Sequence, residues 1–332
     1  MPVLHHSTYK PPFLFANGHI QSAYPVYFRT VPGIQYRRER ITTPDADFLD
    51  LDWSKTGADR VVILLHGLEG HSYRAYMVGM IKAFNRRGWD AVAMNFRGCS
   101  GEPNRLLISY HYGKTDDLHT VVSHIDKTGR YKAIALVGFS LGANVILKYL
   151  GDGQFPVVKT IVAAAGFSAP CDLTSCSWKL ARLSHRLYMQ RFLKMLHRKI
   201  AAKAALFPDK INDNDFTAIK NFKQFDDRYT APIHGFSGAE DYWTQCSTTQ
   251  FLTAITVPTL IVNALDDPFL TDKCFYLKEA ERNCNVFLET PKSGGHVGFV
   301  TFGKSGEYWS ETRAAEFCNG HLTVYETWKK YP

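Results

Sequence analysis

Ile134-Ala135-Leu136-Val137-Gly138-Phe139-Ser140-Leu141-Gly142-Ala143 carries an apolar run straight into a serine held between two glycines. Ile134 to Val137 has the composition of a buried strand, and Ala143 to Leu150 has the apolar spacing of a helix. A strand that turns at once into a helix leaves little room for side chains at the turn, which Gly138 and Gly142 provide. The turn lifts the serine hydroxyl clear of the sheet edge at a helix N-terminus, so Ser140 is a candidate nucleophile. A G-x-S-x-G string alone occurs by chance in many chains. Its weight depends on the surrounding strand-turn-helix and on a base and an acid further along.

Outward from this turn, strand and helix patterns alternate. Upstream, Arg60 to Leu65 and Asp90 to Met94 read as buried strands, and Tyr76 to Arg87 and Thr115 to Asp126 as helices. Downstream, Val157 to Ala165 reads as another strand, and the pattern resumes with strands at Pro258 to Val262 and Asn285 to Leu288 and a closing helix at Tyr308 to Cys318. Such alternation predicts a mostly parallel sheet with helices on both faces. Two edge-type strands, Tyr36 to Thr42 and Phe48 to Trp53, precede it across the turn Pro44-Asp45-Ala46-Asp47. The first thirty residues, rich in proline and aromatics around Asn17-Gly18-His19-Ile20-Gln21-Ser22, read as an ordered but irregular arm. Residues 170–256 break the rhythm, with helical composition from Trp178 to Ala205 and from Asn214 to Asp226. They are expected to form a helical cap over the carboxyl edge of the sheet, where open α/β sheets place their ligands. The expected division is an arm and first core part over 1–169, the cap over 170–256, and a second core part over 257–332.

Bulk properties bound the function. The 332 residues suffice for a large core, and 45% hydrophobic with 21% charged residues is an ordinary globular composition. The net charge of +8 fits a solvated basic surface or attraction to anionic lipid or substrate. Arg37-Arg38-Glu39-Arg40 is too short and mixed to suggest nucleic-acid binding. Met1 to Phe13 lacks a basic leader with an apolar core, and no apolar stretch approaches a membrane span, so neither signal peptide nor anchor is expected. Seven scattered cysteines suggest reduced, mostly buried thiols in a cytoplasmic protein. No obligatory protein partner is expected.

A serine nucleophile needs a base, and the base needs an orienting acid. His296 lies in Ser293-Gly294-Gly295-His296-Val297-Gly298-Phe299, a glycine-flanked loop after the last strand, and is the expected base. The acid should end the preceding strand, in Asn263-Ala264-Leu265-Asp266-Asp267-Pro268. Asp267, directly before the proline turn, is favoured, and Asp266 is the alternative. The order Ser140, Asp267, His296 is that of the α/β-hydrolase arrangement. The expected oxyanion donors are the backbone N–H groups of Leu141, after the nucleophile, and of Leu68, after the strand ending at Leu65. His66 and His71 lack the spacing of a zinc helix, so no metal is expected, and His66 is expected to brace the oxyanion loop. Neither a dinucleotide fingerprint nor a phosphate loop occurs, and no cofactor is expected. Arg97 and its glycines either hold neighbouring loops or place a polar substrate end, and Cys99 reads as a small buried thiol.

Taken together, Asn17-Gly-His19, His66-Gly-Leu-Glu-Gly70, Asn95-Phe-Arg-Gly98, Gly138-Phe-Ser-Leu-Gly142, Asn263-Ala-Leu-Asp-Asp-Pro268 and Gly294-Gly-His-Val-Gly-Phe299 resemble the YheT-like branch of the α/β-hydrolase superfamily, relatives of the abhydrolase-domain esterases and lipases. The resemblance spans nearly the whole chain. It implies Ser140 as nucleophile, an aspartate from the Asp266/Asp267 pair, His296 as base, and hydrolysis of carboxylic esters. Esters of short to medium chain length are expected. A thioesterase or lysophospholipase would use the same three residues, and a noncatalytic binding module is the reading from a different class. Trp178, Leu187, Tyr188 and Phe192 are expected to form an acyl pocket in the cap. The basic stretch Arg182 to Lys203 suggests an anionic lipid headgroup or transient contact with a membrane surface.

Overall fold

The computed structural model describes residues 3–4, 6–275, 282–303 and 305–330. Nine strands among them form one sheet: β1 (Val3–Leu4), β2 (Arg37–Thr42), β3 (Phe48–Ser54), β4 (Arg60–Leu65), β5 (Asp90–Asn95), β6 (Ala133–Phe139), β7 (Ile161–Phe167), β8 (Thr259–Val262) and β9 (Val286–Glu289). Their order is β1-β9-β8-β7-β6-β4-β5-β3-β2. Pairing is parallel except where β3 runs against both β5 and β2. This is an α/β fold with a mostly parallel sheet, as the alternation predicts. The central strands are buried along their whole length apart from Arg60 at the start of β4, which is why they read as continuous apolar runs. On the antiparallel side, Leu49, Leu51 and Trp53 of β3 enter the core, while Asp50 and Asp52 face their register partners Arg40 and Arg38 and pair with them.

Helices cover both faces. α3 (Thr115–Lys127) and α4 (Leu141–Gly151) pack one face through Leu118, Val121, Val122, Val145 and Ile146. α2 (Ala75–Asn85) and the closing helix α10 (Trp309–Lys330) cover the other through Met77, Met80, Phe84, Ala314 and Phe317. β4 continues to β5 on one side, whereas β6 lies on its other side and continues outward to β7. The loops after β4 and β6 therefore part at their carboxyl ends and open a crevice at a topological switch point.

Between β7 and β8 the chain contributes α5 (Leu173–Leu180), α6 (Arg186–Leu206), the short α7 (Phe222–Phe225) and α8 (Ala231–His234), and α9 (Ala239–Cys246). These helices share a separate apolar cluster that includes Leu193, Leu196, Phe216, Tyr229 and Trp243.

Four expectations need correction. The helix expected from Trp178 to Ala205 is two helices, broken by a 3-10 turn at Leu183–His185. The helix expected from Asn214 to Asp226 shrinks to a 3-10 turn and α7, because Asp215 takes a left-handed conformation (φ 52°) and Asn221 caps a fresh start by accepting from the Gln224 N–H. The strand expected at Val157 to Ala165 starts later and spans Ile161–Phe167.

The fourth correction matters most. The N-terminal arm is not irregular but carries α1 (Gly18–Phe28), which starts at Asn17, whose side chain accepts from the His19 and Ile20 N–H groups. Its buried residues are Gly18, Gln21, Ser22 and Pro25, and this lack of an apolar inner stripe hides the helix from periodicity.

Candidate active site

β6 ends at Phe139 and α4 begins at Leu141, leaving Ser140 as the entire turn. Its backbone is strained at φ 52° and ψ −116°, a conformation that persists because its surroundings hold it. The Ser140 N–H donates to Phe167 O at 2.9 Å, and its carbonyl accepts from Asn144 N–H at 3.0 Å. A Cβ at Gly138 would meet the Gly142 carbonyl at 2.5 Å, so the elbow closes only around glycine.

The loop after β9 delivers His296 to this serine. The Ser140 hydroxyl lies 2.9 Å from His296 Nε2, in position to donate to it. On its other side, His296 Nδ1–H donates to Asp267, at 2.9 Å to Oδ2 and 3.2 Å to Oδ1. The Asp267 side chain is fully buried and is held by the Phe269 N–H at 2.8 Å. The Phe269 ring packs against the imidazole at 4.2 Å. Asp266 points elsewhere. It accepts the Gly295 N–H at 2.9 Å, and burial next to the Asp267 charge raises its carboxyl above the ordinary range.

Sequence reasoning missed the brace behind the histidine. The Ser22 hydroxyl of α1 accepts the His296 N–H at 2.7 Å while donating to Gly18 O. Gln21, wholly buried, accepts the Val300 N–H through Oε1 and donates to Phe15 O through Nε2. The Ser168 hydroxyl accepts the Val297 N–H. The polar residues of α1 thus serve the base loop, and Asn17 was the available signal as a helix cap.

His66 carries its neutral form, because complete burial pushes its pKa down to about 3. Its Nδ1–H donates to Gly67 O, and Nε2 accepts the Phe96 N–H. The loop that follows, where the oxyanion donor is expected, is pinned on both sides of Leu68. The Gly67 N–H donates to Tyr76 Oη at 3.1 Å and the Glu69 N–H to Tyr110 Oη at 2.8 Å. Among the described residues, neither the Leu68 nor the Leu141 N–H has a hydrogen-bond partner. A side chain at Gly67 would meet Ser140 Cβ at 3.3 Å, so this loop packs directly against the elbow.

Lys199 of α6 reaches down to the same loop. It pairs with Glu69 at 2.9 Å and donates to Cys99 Sγ at 3.0 Å. Burial alone would lower its pKa, but Cys99 and Glu69 outweigh it and the ammonium is held charged. Lys203 is likewise turned inward, donating to Asn104 O and Leu106 O. Two cations of the basic stretch are therefore spent inside the protein. Arg97 is structural, buried in ion pairs with Asp117, Asp45 and Asp47 and absent from the cavity wall.

Ser140, His296, Leu68 and Leu141 line a cavity of about 1300 Å³. Leu187, Tyr188 and Phe192 stand in its walls as expected, but Trp178 does not. Trp178 is half in solvent and packs edge-on against Trp243, because Leu173, Cys176, Ser177 and Leu180, at i, i+3, i+4 and i+7, take the cavity-facing side of α5 and leave Trp178 off it. A sequence model described as the alpha/beta hydrolase fold matches residues 60–302, most of the chain. The chain belongs to that family. Within the alpha/beta hydrolases it is 34% identical over 93% of its length, and 92% of the other's, to YheT, a candidate esterase of Escherichia coli (strain K12). It is 30% identical to mouse Phospholipase ABHD3, covering 82% of this chain and 69% of that one. With human Monoacylglycerol lipase ABHD2 it shares 28% identity over 88% and 74%. The Pyrococcus furiosus esterase Pf2001 has the same fold, with a TM-score of 0.59 at 20% identity over 88% of this chain and 96% of that one.

Proposed function

We propose that the protein is a serine hydrolase that cleaves carboxylic esters through an acyl-enzyme. The observation that carries this reading is the hydrogen-bonded chain from Ser140 Oγ through His296 to the buried Asp267, with Ser140 and His296 in the wall of the cavity. Ser140 attacks the ester carbonyl while His296 Nε2 takes its proton. Asp267 holds the tautomer that leaves Nε2 free to accept and stabilises the imidazolium that forms. The carbonyl oxygen, now negative, is received by the Leu68 and Leu141 N–H groups, each worth roughly 3 to 4 kcal/mol in the transition state. Imidazolium then protonates the leaving alcohol, and water, deprotonated by His296, releases the acid and restores Ser140. No step requires a metal or an organic cofactor.

The proposed substrate is a lipid-like ester with a short to medium acyl chain. Support comes from a cavity larger than most small-molecule pockets, with walls such as Leu173, Leu180, Phe222 and Phe225, and from the lipid-cleaving relatives. Purified protein should react with a fluorophosphonate probe and hydrolyse p-nitrophenyl esters, with an optimum along a series of increasing acyl length. Ser140→Ala should lose both activities while keeping its Tm. Normal turnover in that variant would remove Ser140 from the mechanism, and a wild-type protein inert to probe and esters alike would favour a noncatalytic binding module.

A further inference from the structure

α1 is built inside out. An amphipathic surface helix normally buries its apolar stripe, yet here Gln21 and Ser22 are buried while Ile20, Val26, Tyr27 and Phe28 face solvent. Tyr27 and Phe28 are 67% and 72% exposed. The polar inner face is explained by the His296 loop it braces, whereas nothing among the described residues accounts for the apolar outer face.

That face borders the mouth of the cavity. Ile20, Val26 and Tyr27 line the cavity from one side and Leu187, Arg191 and Lys194 of α6 from the other. The two helices meet where Arg191 donates to Tyr27 Oη at 2.9 Å and where His19 and Tyr188 lie 2.9 Å apart. Leu187 is 82% exposed, and Leu183, one turn earlier, is 89% exposed. The rim is thus a set of large apolar side chains around an opening, rather than scattered singles.

The charge beside it has one sign. α6 contains no acidic residue, and Arg186, Lys194 and Arg198 recur at four- or eight-residue spacing, which sets them along one side of the helix. All three are exposed, as is Arg182 just before them, and none of the four has a carboxylate partner among the described residues. Lys199 and Lys203, by contrast, are engaged inward. Apolar side chains that would enter an acyl region, next to free cations that would meet headgroups, are the two requirements of interfacial binding.

We propose that the α1–α6 rim is a docking surface for an anionic phospholipid bilayer, seating the cavity mouth on the membrane so that a lipid passes from the bilayer into the cavity. The binding claim stands on its own, and the delivery claim rests on the proposed ester hydrolysis. The test is co-sedimentation of full-length Ser140→Ala with vesicles of phosphatidylcholine alone and of phosphatidylcholine with 30% phosphatidylglycerol, ~30 mol% being a common anionic content for probing polybasic surfaces. The protein should pellet with the anionic vesicles and be released by high salt.

Two variants outside the cavity lining separate the contributions. Phe28→Asp/Leu183→Asp and Arg182→Glu/Arg186→Glu should each weaken partitioning by roughly tenfold or more. Both should keep wild-type Tm and, on the Ser140 background, wild-type rates toward a soluble p-nitrophenyl ester. Absence of vesicle binding at low salt, or equal binding by both variants and wild type, would overturn the proposal. So would a dimer in sedimentation velocity that either variant dissolves, since a second copy would then be the occupant. Vesicle binding without ester hydrolysis would sink the proposed function while leaving the docking surface intact.

Discussion

Replacing Gly18 by alanine should damage both stability and catalysis, although Gly18 is remote from Ser140 in sequence and contributes no side chain. A Cβ there would lie 2.8 Å from the Asp266 carbonyl carbon, 3.1 Å from Asp266 Cγ, and closer still to the Asp266 carbonyl oxygen. Carbon atoms in ordinary contact sit about 3.8 Å apart, so α1 and the aspartate turn must separate by at least about 1 Å. Backbone forms most of this contact, and no rotamer change relieves it. The turn carries Asp267 in its next residue, and Ser22 on α1 holds the His296 N–H. The shift is therefore transmitted to the acid, the base or both. Overpacking of this kind costs about 1–3 kcal/mol, a fall in Tm of roughly 1–4 °C for a chain of this size. A displacement near 1 Å of a catalytic group can cost about 100-fold in rate. The assay pairs thermal unfolding with kcat/KM for a p-nitrophenyl ester, using Gly303→Ala as control because a Cβ there meets nothing within 4 Å. If Gly18→Ala kept its Tm and came within twofold of wild-type kcat/KM, the brace between α1 and the aspartate turn would be refuted.

Asp267→Asn should lower kcat by about 10³–10⁴ with little change in KM, since the amide can still accept the Phe269 N–H but presents the wrong group to His296. Asp266→Asn, which keeps the bond to the Gly295 N–H, should lower it far less, and the reverse ranking would exchange the roles of the two aspartates. In the cap, burial raises the Asp226 carboxyl from its ordinary 3.8 to about 7, where it accepts from Trp243 Nε1–H and the Thr230 hydroxyl. The folded protein then holds this proton more tightly than the unfolded chain. That stabilisation is complete below about pH 4 and is lost as pH rises through about 7. Asp226→Asn should accordingly show a smaller fall in Tm between pH 4 and 8 than wild type, and parallel Tm curves would contradict the burial.

Much of the site was legible because its signals are local. The Ser140 elbow announces itself through Gly138 and Gly142, the histidine loop through Gly294 and Gly295, and the acid through the end of a strand at Asp266 and Asp267. The central strands were equally plain, since burial on both faces demands continuous apolar runs. Trp178 was misassigned because which face of α5 meets the cavity is set by packing within the cap, and that face is the one of Leu173, Cys176, Ser177 and Leu180. Helix α1 was invisible for a deeper reason. Its inner face satisfies backbone groups of a loop more than 270 residues away, so its burial pattern has no apolar period to detect.

Residue order and local pattern were therefore enough to determine the alternating α/β framework and to single out Ser140 and His296, whose side chains the fold brings within 2.9 Å. Side-chain chemistry at a turn and apolar period along a strand are properties of neighbours in the chain. Tertiary structure alone decided which aspartate meets the imidazole, which lysines of α6 turn inward, and that the arm holds the base loop from behind while exposing an apolar rim. Each of these depends on groups brought together from distant segments, where a separation of a few ångströms decides between a hydrogen bond and none.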